Sequence, residues 1–189
     1  MAASRTSGAG CPHDAVSTVR RRLVAAPAIP AGLVVRAAGA EDVETVVALR
    51  LELLAEEARS PLFSRPLPDV QEHARQLSKR QLASRTDIIF LASDRDVALG
   101  MLRVAVSHPP RIVRPQRYGF ITSAYVVPSH RRRGVLRALV RAGEAWCRER
   151  GLREVRLHCT VENVPGNTSW EALGYGVAEI VRRRTLTEE

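Results

Sequence analysis

The sequence predicts an α/β (α+β) fold, with strands and helices interspersed and an antiparallel hairpin among the strands. Three observations lead there. From residue 33 onward, short apolar runs and amphipathic stretches follow one another in the order β-α-α-β-β-β-α-β-α-β. Two of those runs, 87–93 and 98–106, are separated by a short polar turn, as in an antiparallel hairpin. The chain has 189 residues, 45% of them hydrophobic, which is enough for one domain with a sizeable core.

Residues 1–32 read as an extension outside the domain, which spans 33–189. "MAASRTSGAG" is small and polar, "RRR" is basic and "AAPAIPAG" is a Pro/Gly/Ala segment; Asp14 is its one acid. A transit peptide shares this character, but a disordered bacterial extension needs fewer assumptions.

Leu33, Val34 and Val35 form a short strand. "EDVETVVALRLELLAEEA" follows as a helix, with Glu41 and Asp42 in the first turn, where the helix dipole favours acids. Val43, Val46, Val47, Leu51 and Leu54 recur at helical spacing. Pro61, Pro66 and Pro68 make 58–68 a loop carrying Leu62 and Phe63, and a more polar helix is predicted over 69–84. After the hairpin comes a basic, proline-rich loop at 107–117. The longest strand covers 118–127 and ends at Pro128, which cannot donate to a ladder.

A helix is predicted from Gly134 to Arg150. Leu136, Leu139, Val140, Gly143 and Cys147 lie on one face, Arg137, Arg141, Glu144 and Arg148 on the other, and Gly151 stands where a left-handed C-cap belongs. Residues 154–161 read as a strand. Thr168 and Glu171 have capping-box spacing for a short helix that stops at Gly174. "YGVAEIVRRRTL" reads as a final strand or small hairpin.

The net charge of +9 invites nucleic acid as a partner. Its make-up argues against one. Lys79 is the single lysine, a bias that a GC-rich genome imposes through codon choice, and aromatics at 4% leave little for base stacking. No apolar run approaches the roughly 20 residues of a membrane span. Cys11, Cys147 and Cys159 are far apart and form no C-x-x-C pair, so neither a disulfide framework nor a metal site is expected, and a cytoplasmic location is.

The most informative stretch is "YVVPSHRRRGVLRALV". A strand ending at a proline, a turn and a helix N-terminus collect unpaired N–H groups at one point, backed by the helix dipole. A glycine in the turn lets a ligand approach the backbone. Such a junction can hold a pyrophosphate on backbone amides, without needing the arginine side chains.

This stretch resembles the acyl-CoA-binding motif of the GNAT N-acyltransferase superfamily. Arg131, Arg132, Arg133 and Gly134 match the first four positions of R/Q-x-x-G-x-G/A, and Leu136 replaces the second small residue. "ENVPGNTSWEALGY" resembles the second family motif: Asn163 matches its asparagine and Gly174-Tyr175 its Gly-Phe, while Gly166 replaces alanine and Trp170 replaces tyrosine. With the element order, the resemblance covers about four fifths of the chain.

The resemblance implies a mixed, mostly antiparallel sheet of about six or seven strands, flanked by helices, whose central strands splay apart around the pantetheine arm of CoA. It implies acetyl-CoA as cosubstrate, held by Val126, Val127, Arg131, Arg132, Arg133, Gly134, Val135, Leu136, Arg137, Asn163 and Trp170, with no metal. A primary amine of a small molecule or peptide would attack the thioester directly, in a ternary complex. A homodimer is compatible with the resemblance, and the sequence leaves the oligomeric state open.

The chemical groups depart from the family. Its glutamate base would fall near Thr122 or Ser123, and its tyrosine acid is Trp170, whose indole cannot protonate a leaving group. Catalytic stand-ins are His158, with a pKa suited to a base, Glu162 acting through water, and Tyr125 with its hydroxyl. Cys159 has nothing near it in sequence that would activate a thiol. The alternative reading is a CoA-binding protein with impaired catalysis. The loops at 58–68 and 107–117 are the expected acceptor site. Net charge favours a neutral or acidic amine over a polycation, unless local acids such as Glu52, Glu56 and Glu57 reverse the sign.

Overall fold

The computed structural model describes residues 31–186. The expected N-terminal extension falls almost wholly outside them, as does Cys11. One five-stranded sheet runs in sequential order: β1 (Leu33–Ala37), β2 (Asp87–Asp94), β3 (Val97–Ser107), β4 (Tyr118–Val126) and β5 (Val155–Leu157). β1 to β4 are antiparallel neighbours and β5 joins β4 in parallel. That change of direction follows from the connection. A helix, α3 (Val135–Glu149), carries the chain back across the sheet, as a parallel pair requires.

The two sheet faces carry separate cores. On one side α3 lays Val135, Leu139, Val140 and Cys147 against Leu102, Val104 and Ile121. It comes closest at Gly143, where an added Cβ would lie 2.9 Å from Val104 Cγ2 and 3.0 Å from Leu102 Cδ2. On the other side α1 (Val43–Glu57) lays Val46 and Leu49 against Ile89, Leu91, Met101 and Tyr125, with Leu53 beside them. The core-facing stripe of α1 thus runs Val46, Leu49, Leu53, and its next position is Glu57. α2 (Val70–Leu82) packs alongside, and Arg75 ties it to α1 through Glu44 Oε1 at 2.7 Å. Each fully buried aliphatic side chain of this kind stabilises the fold by roughly 1.5–3 kcal/mol.

At the start of α1, Asp42 is buried and takes a bidentate pair of bonds from Arg36, both at 2.7 Å, and a third from the Gly39 N–H at 2.8 Å. The Arg36 hydrogen bonds hold its carboxyl below the usual range.

Three expectations are corrected. The strand placed at 154–161 is only Val155–Leu157, because β4 turns away after Ile121 and leaves nothing to pair with. The last helix, α4 (Val164–Ala172), starts earlier than its expected Thr168 cap. Asn163 is the cap, its Oδ1 accepting from the Gly166 N–H at 2.9 Å, and the Thr168 hydroxyl bonds back to the Val164 carbonyl inside the helix. Among the described residues the final strand or hairpin does not form, and the sheet has five strands. Residues 176–186 lie exposed along the surface, including Val177, Ile180, Val181 and Leu186. Among the described residues no helix is long and apolar enough to cross a membrane.

Candidate acyl-transfer site

The junction singled out in the sequence is built by two backbone devices. Pro128 opens a single 3-10 turn, Pro128–His130, that lifts the chain out of β4. Arg132 (φ 59°) and Gly134 (φ 83°) then take left-handed conformations, and Gly134 caps α3. The first bond of the helix runs from the Ala138 N–H to the Gly134 carbonyl at 3.0 Å. The N–H groups of Val135, Leu136 and Arg137 therefore have no acceptor within the helix and face outward together. A 15-residue helix adds its dipole at this point. The arrangement suits a phosphate group.

The arginines divide their roles. Arg131 turns back into the protein: Nε donates to the Val126 carbonyl at 2.8 Å and Nη2 meets Glu56 Oε1 at 2.5 Å. Arg132 and Arg133 are exposed at the rim. Leu136 points to the core formed under α3, which is why a bulky residue is tolerated in this position.

Next to the junction the sheet opens. β4 and β5 pair only through Gly119–Ile121 and Val155–Leu157. In β4 the register against β3 slips by one residue, leaving Thr122 as the extra residue of a bulge, its hydroxyl held by Arg103. A bulge bends the strand that carries it. Beyond it, residues 122–126 of β4 have no β5 partner. The resulting cleft, about 50 Å³, is floored by Ile121, Thr122, Ser123 and Ala124 and walled by His158, Cys159, Asn163 and Trp170. On its α1 side stand Leu53 and Glu57.

The residues expected from sequence fall into three groups. His158, Asn163 and Trp170 line the cleft. His158 is exposed just beyond β5, edge-on to Phe120 at 5.0 Å. Trp170 is buried, edge-on to Tyr175 at 5.4 Å, and the Tyr175 hydroxyl donates to Glu144 Oε1 at 3.0 Å, outside the cleft. Val127, Arg131, Arg132, Arg133, Gly134, Val135, Leu136 and Arg137 belong to the junction. Its Val127 N–H is engaged by the Leu99 carbonyl at 2.9 Å, on the β3 side. Tyr125 and Glu162 stand apart. Tyr125 is buried under α1, where burial and a hydrogen bond with Glu52 push its hydroxyl up to about 12. Glu162 is exposed in the turn before α4 and does not line the cleft.

One lining residue went unmarked as a candidate catalyst. Among the described residues Glu57 is the one carboxylate lining the cleft, and burial, then the neighbouring Glu56, raises its pKa. The signal was present: an acid sits on the apolar stripe of α1, one turn past Leu53. The Cys159 thiol on the opposite wall is also pushed up, by burial first and then by Glu57, which leaves it protonated near neutral pH.

A larger cavity, about 770 Å³, lies elsewhere, between α3, β5 and the end of α4, lined by Glu144, Leu152, Val155, Leu173 and Tyr175 among others. It follows the unpaired edge of β5. It contains neither the junction nor the bulge, so it is a gap at the sheet edge and not the place where the chemistry-bearing groups meet.

Known proteins share this architecture. The fold matches a solved aminoglycoside N-acetyltransferase, AAC(6')-Iy in complex with CoA, with a TM-score of 0.69 over 84% of this chain and 98% of that one, at 22% identity. A GCN5-related N-acetyltransferase from Ralstonia eutropha gives 0.67 over 82% and 99%, at 24% identity. In sequence, the aminoglycoside N(6')-acetyltransferase type 1 of Stenotrophomonas maltophilia is 31% identical over 116 residues, 60% of this chain and 75% of that protein. Its counterpart from Acinetobacter haemolyticus is 28% identical over 101 residues, 53% and 70% of the two chains. Residues 51–175, which hold the cleft, the junction and all the elements between them, match the family described as acetyltransferase (GNAT). The chain belongs to that family and is an acetyl-CoA-dependent N-acetyltransferase acting on amines.

Proposed function

We propose that the protein transfers the acetyl group of acetyl-CoA to a primary amine of a cationic small molecule, with aminoglycosides as the acceptor class. The observation that carries this reading is the cleft where β4 and β5 part, which opens beside an acidic helix end, while the stretch of β4 without a β5 partner runs on toward the turn that starts α3. Two things support the acceptor class. The relatives named above are aminoglycoside acetyltransferases. Local charge at the acceptor side also differs from the basic whole: Glu52, Glu56 and Glu57 gather in the last two turns of α1.

In this reading the pyrophosphate of CoA rests on the N–H groups of 135–137, with Arg132 and Arg133 at the rim. The pantetheine arm follows the open edge of β4 at 122–126, between the bulge and Trp170. Acetyl-CoA supplies an activated thioester. The chain's part is to fix amine and thioester in attack geometry, to exclude water with Leu53 and Trp170, and to bond the carbonyl oxygen through free β4 N–H groups. The pyrophosphate grips one face of the sheet edge, so the amine enters from the α1 side.

A homodimer fits the same picture. β5 presents an unpaired edge and a cavity, while residues 176–186 of the same chain expose four large aliphatics. A second copy brings the segment that would cover the edge. Sedimentation of the full chain should give a dimer, and truncation after Tyr175 a monomer.

Purified protein with acetyl-CoA and a panel of amines tests the activity. Mass spectrometry should find N-acetylated aminoglycoside, with weaker product from neutral amino-acid derivatives and peptides. CoA binding without product on any amine would favour the impaired, CoA-binding alternative.

A further inference from the structure

We propose that Glu57 is the general base of this enzyme, taking the proton of the acceptor ammonium from the α1 side of the cleft. The inference rests on the acetyl-transfer reading above and adds a residue to it. The usual strand position for a base is occupied here by Thr122 and Ser123, neither of which can accept a proton near neutral pH. Glu57 replaces them from another element. It lines the cleft together with Trp170 and Asn163, so an amine approaching a thioester in the split comes within its reach.

Placement on the helix explains why this acid and not its neighbours. Glu56, one residue earlier, is turned outward and paired with Arg131. Glu52 lies beside the hydroxyl of Tyr125, under α1. Glu57 continues the stripe of Val46, Leu49 and Leu53, and so is carried into the cleft by the same helix face that packs on the sheet. The charged and titratable groups around it are Glu56 on its own helix, Arg131 beyond Glu56, and His158 and Cys159 from the segment after β5. β4 contributes Ile121, Thr122, Ser123 and Ala124, and the start and body of α4 contribute Asn163 and Trp170, none of which titrates usefully. Burial and the Glu56 charge raise its pKa, which makes it a stronger base than a solvated carboxylate.

The protons balance as follows. The Glu57 carboxylate takes one proton from the ammonium, and the freed lone pair forms the C–N bond to the thioester carbonyl carbon. The C–S bond breaks and the sulfur leaves with the bonding electrons. Of the three ammonium protons, one stays on the amide, one ends on the CoA sulfur and one is released to solvent. Trp170 takes no part in proton transfer.

The test is the pH dependence of kcat/KM for the full chain with an aminoglycoside acceptor, for the unmodified protein, Glu57→Gln, Glu57→Asp and His158→Ala, alongside the Kd for CoA. The unmodified enzyme should show an acidic limb above the ordinary carboxylate range, because a raised base is active only above its own pKa. Glu57→Gln should lower kcat by roughly 10²–10⁴-fold, lose that limb and keep CoA affinity within about twofold. Glu57→Asp should recover part of the rate and retain a limb. If Glu57→Gln keeps both rate and limb, or if the limb disappears in His158→Ala instead, Glu57 is not the base. Absence of transfer by the unmodified protein would overturn the acyl-transfer reading itself, and the role of Glu57 with it.

Discussion

Arg131 reaches from the turn before α3 to Glu56 in the last turn of α1, at 2.5 Å, and fastens that turn to the C-terminal end of α1. Its guanidinium also holds the Val126 carbonyl. Of the three consecutive arginines, this one is therefore a brace, and the other two remain free for an anion.

Arg132→Ala should weaken CoA binding only a few-fold, since one exposed ion pair contributes roughly 0.2–1 kcal/mol. Titration calorimetry at low and high salt would measure it, with the difference shrinking as salt rises. A loss of two orders of magnitude would mean that side chains and not backbone amides hold the pyrophosphate.

Gly134→Val should do more. At φ 83° a β-branched side chain is strained by roughly 1–2 kcal/mol, and it also projects where the anion must approach. CoA affinity should fall by at least about tenfold, while circular dichroism still reports the native helices. Unchanged affinity would rule out the cradle.

Trp170→Phe should leave kcat within a few-fold and the pH profile intact, because the indole fills the wall of the cleft and carries no proton. Trp170→Ala should lower thermal stability, since removing a buried aromatic costs about 3–5 kcal/mol. A changed pH profile in Trp170→Phe would assign it a chemical role after all.

Cys159 should alkylate slowly with iodoacetamide at pH 7–8, its thiol being held up by burial and by Glu57. Cys159→Ser should retain transfer. Rapid labelling that abolishes activity, together with an inactive serine variant, would point to a covalent route.

Gly143→Val should destabilise the domain by about 1–3 kcal/mol, because its first side-chain carbon already meets Val104 and Leu102. For a chain of this size that lowers Tm by roughly 2–4 °C per kcal/mol. An unchanged Tm would mean that α3 can move off the sheet without cost.

What the sequence disclosed was local. Periodicity found α1, α2, α3 and the β2–β3 hairpin, and Pro128 and Gly134 marked the junction, because each of those signals is written within a few consecutive residues. Features that depend on a distant partner were lost. β5 looks like an eight-residue strand, yet it ends where the bulge at Thr122 takes its neighbour away. Thr168 has capping spacing, but Asn163 and Pro165 start the helix first. The apolar residues at 176–186 look like a strand, yet they lie exposed and pair with no strand of the sheet. Glu57 sits among three acids that read as one surface patch, and only the packing of Leu49 and Leu53 distinguishes it from Glu56.

The central claim is that acetyl-CoA occupies the split between β4 and β5, on the turn that opens α3. Hydrogen exchange followed by mass spectrometry, with and without acetyl-CoA, tests it most directly. The amides of 131–137 and of 122–126 should become protected while the 770 Å³ cavity beside β5 keeps its exchange rates. Protection confined to residues lining that cavity, with 131–137 unchanged, would contradict the claim.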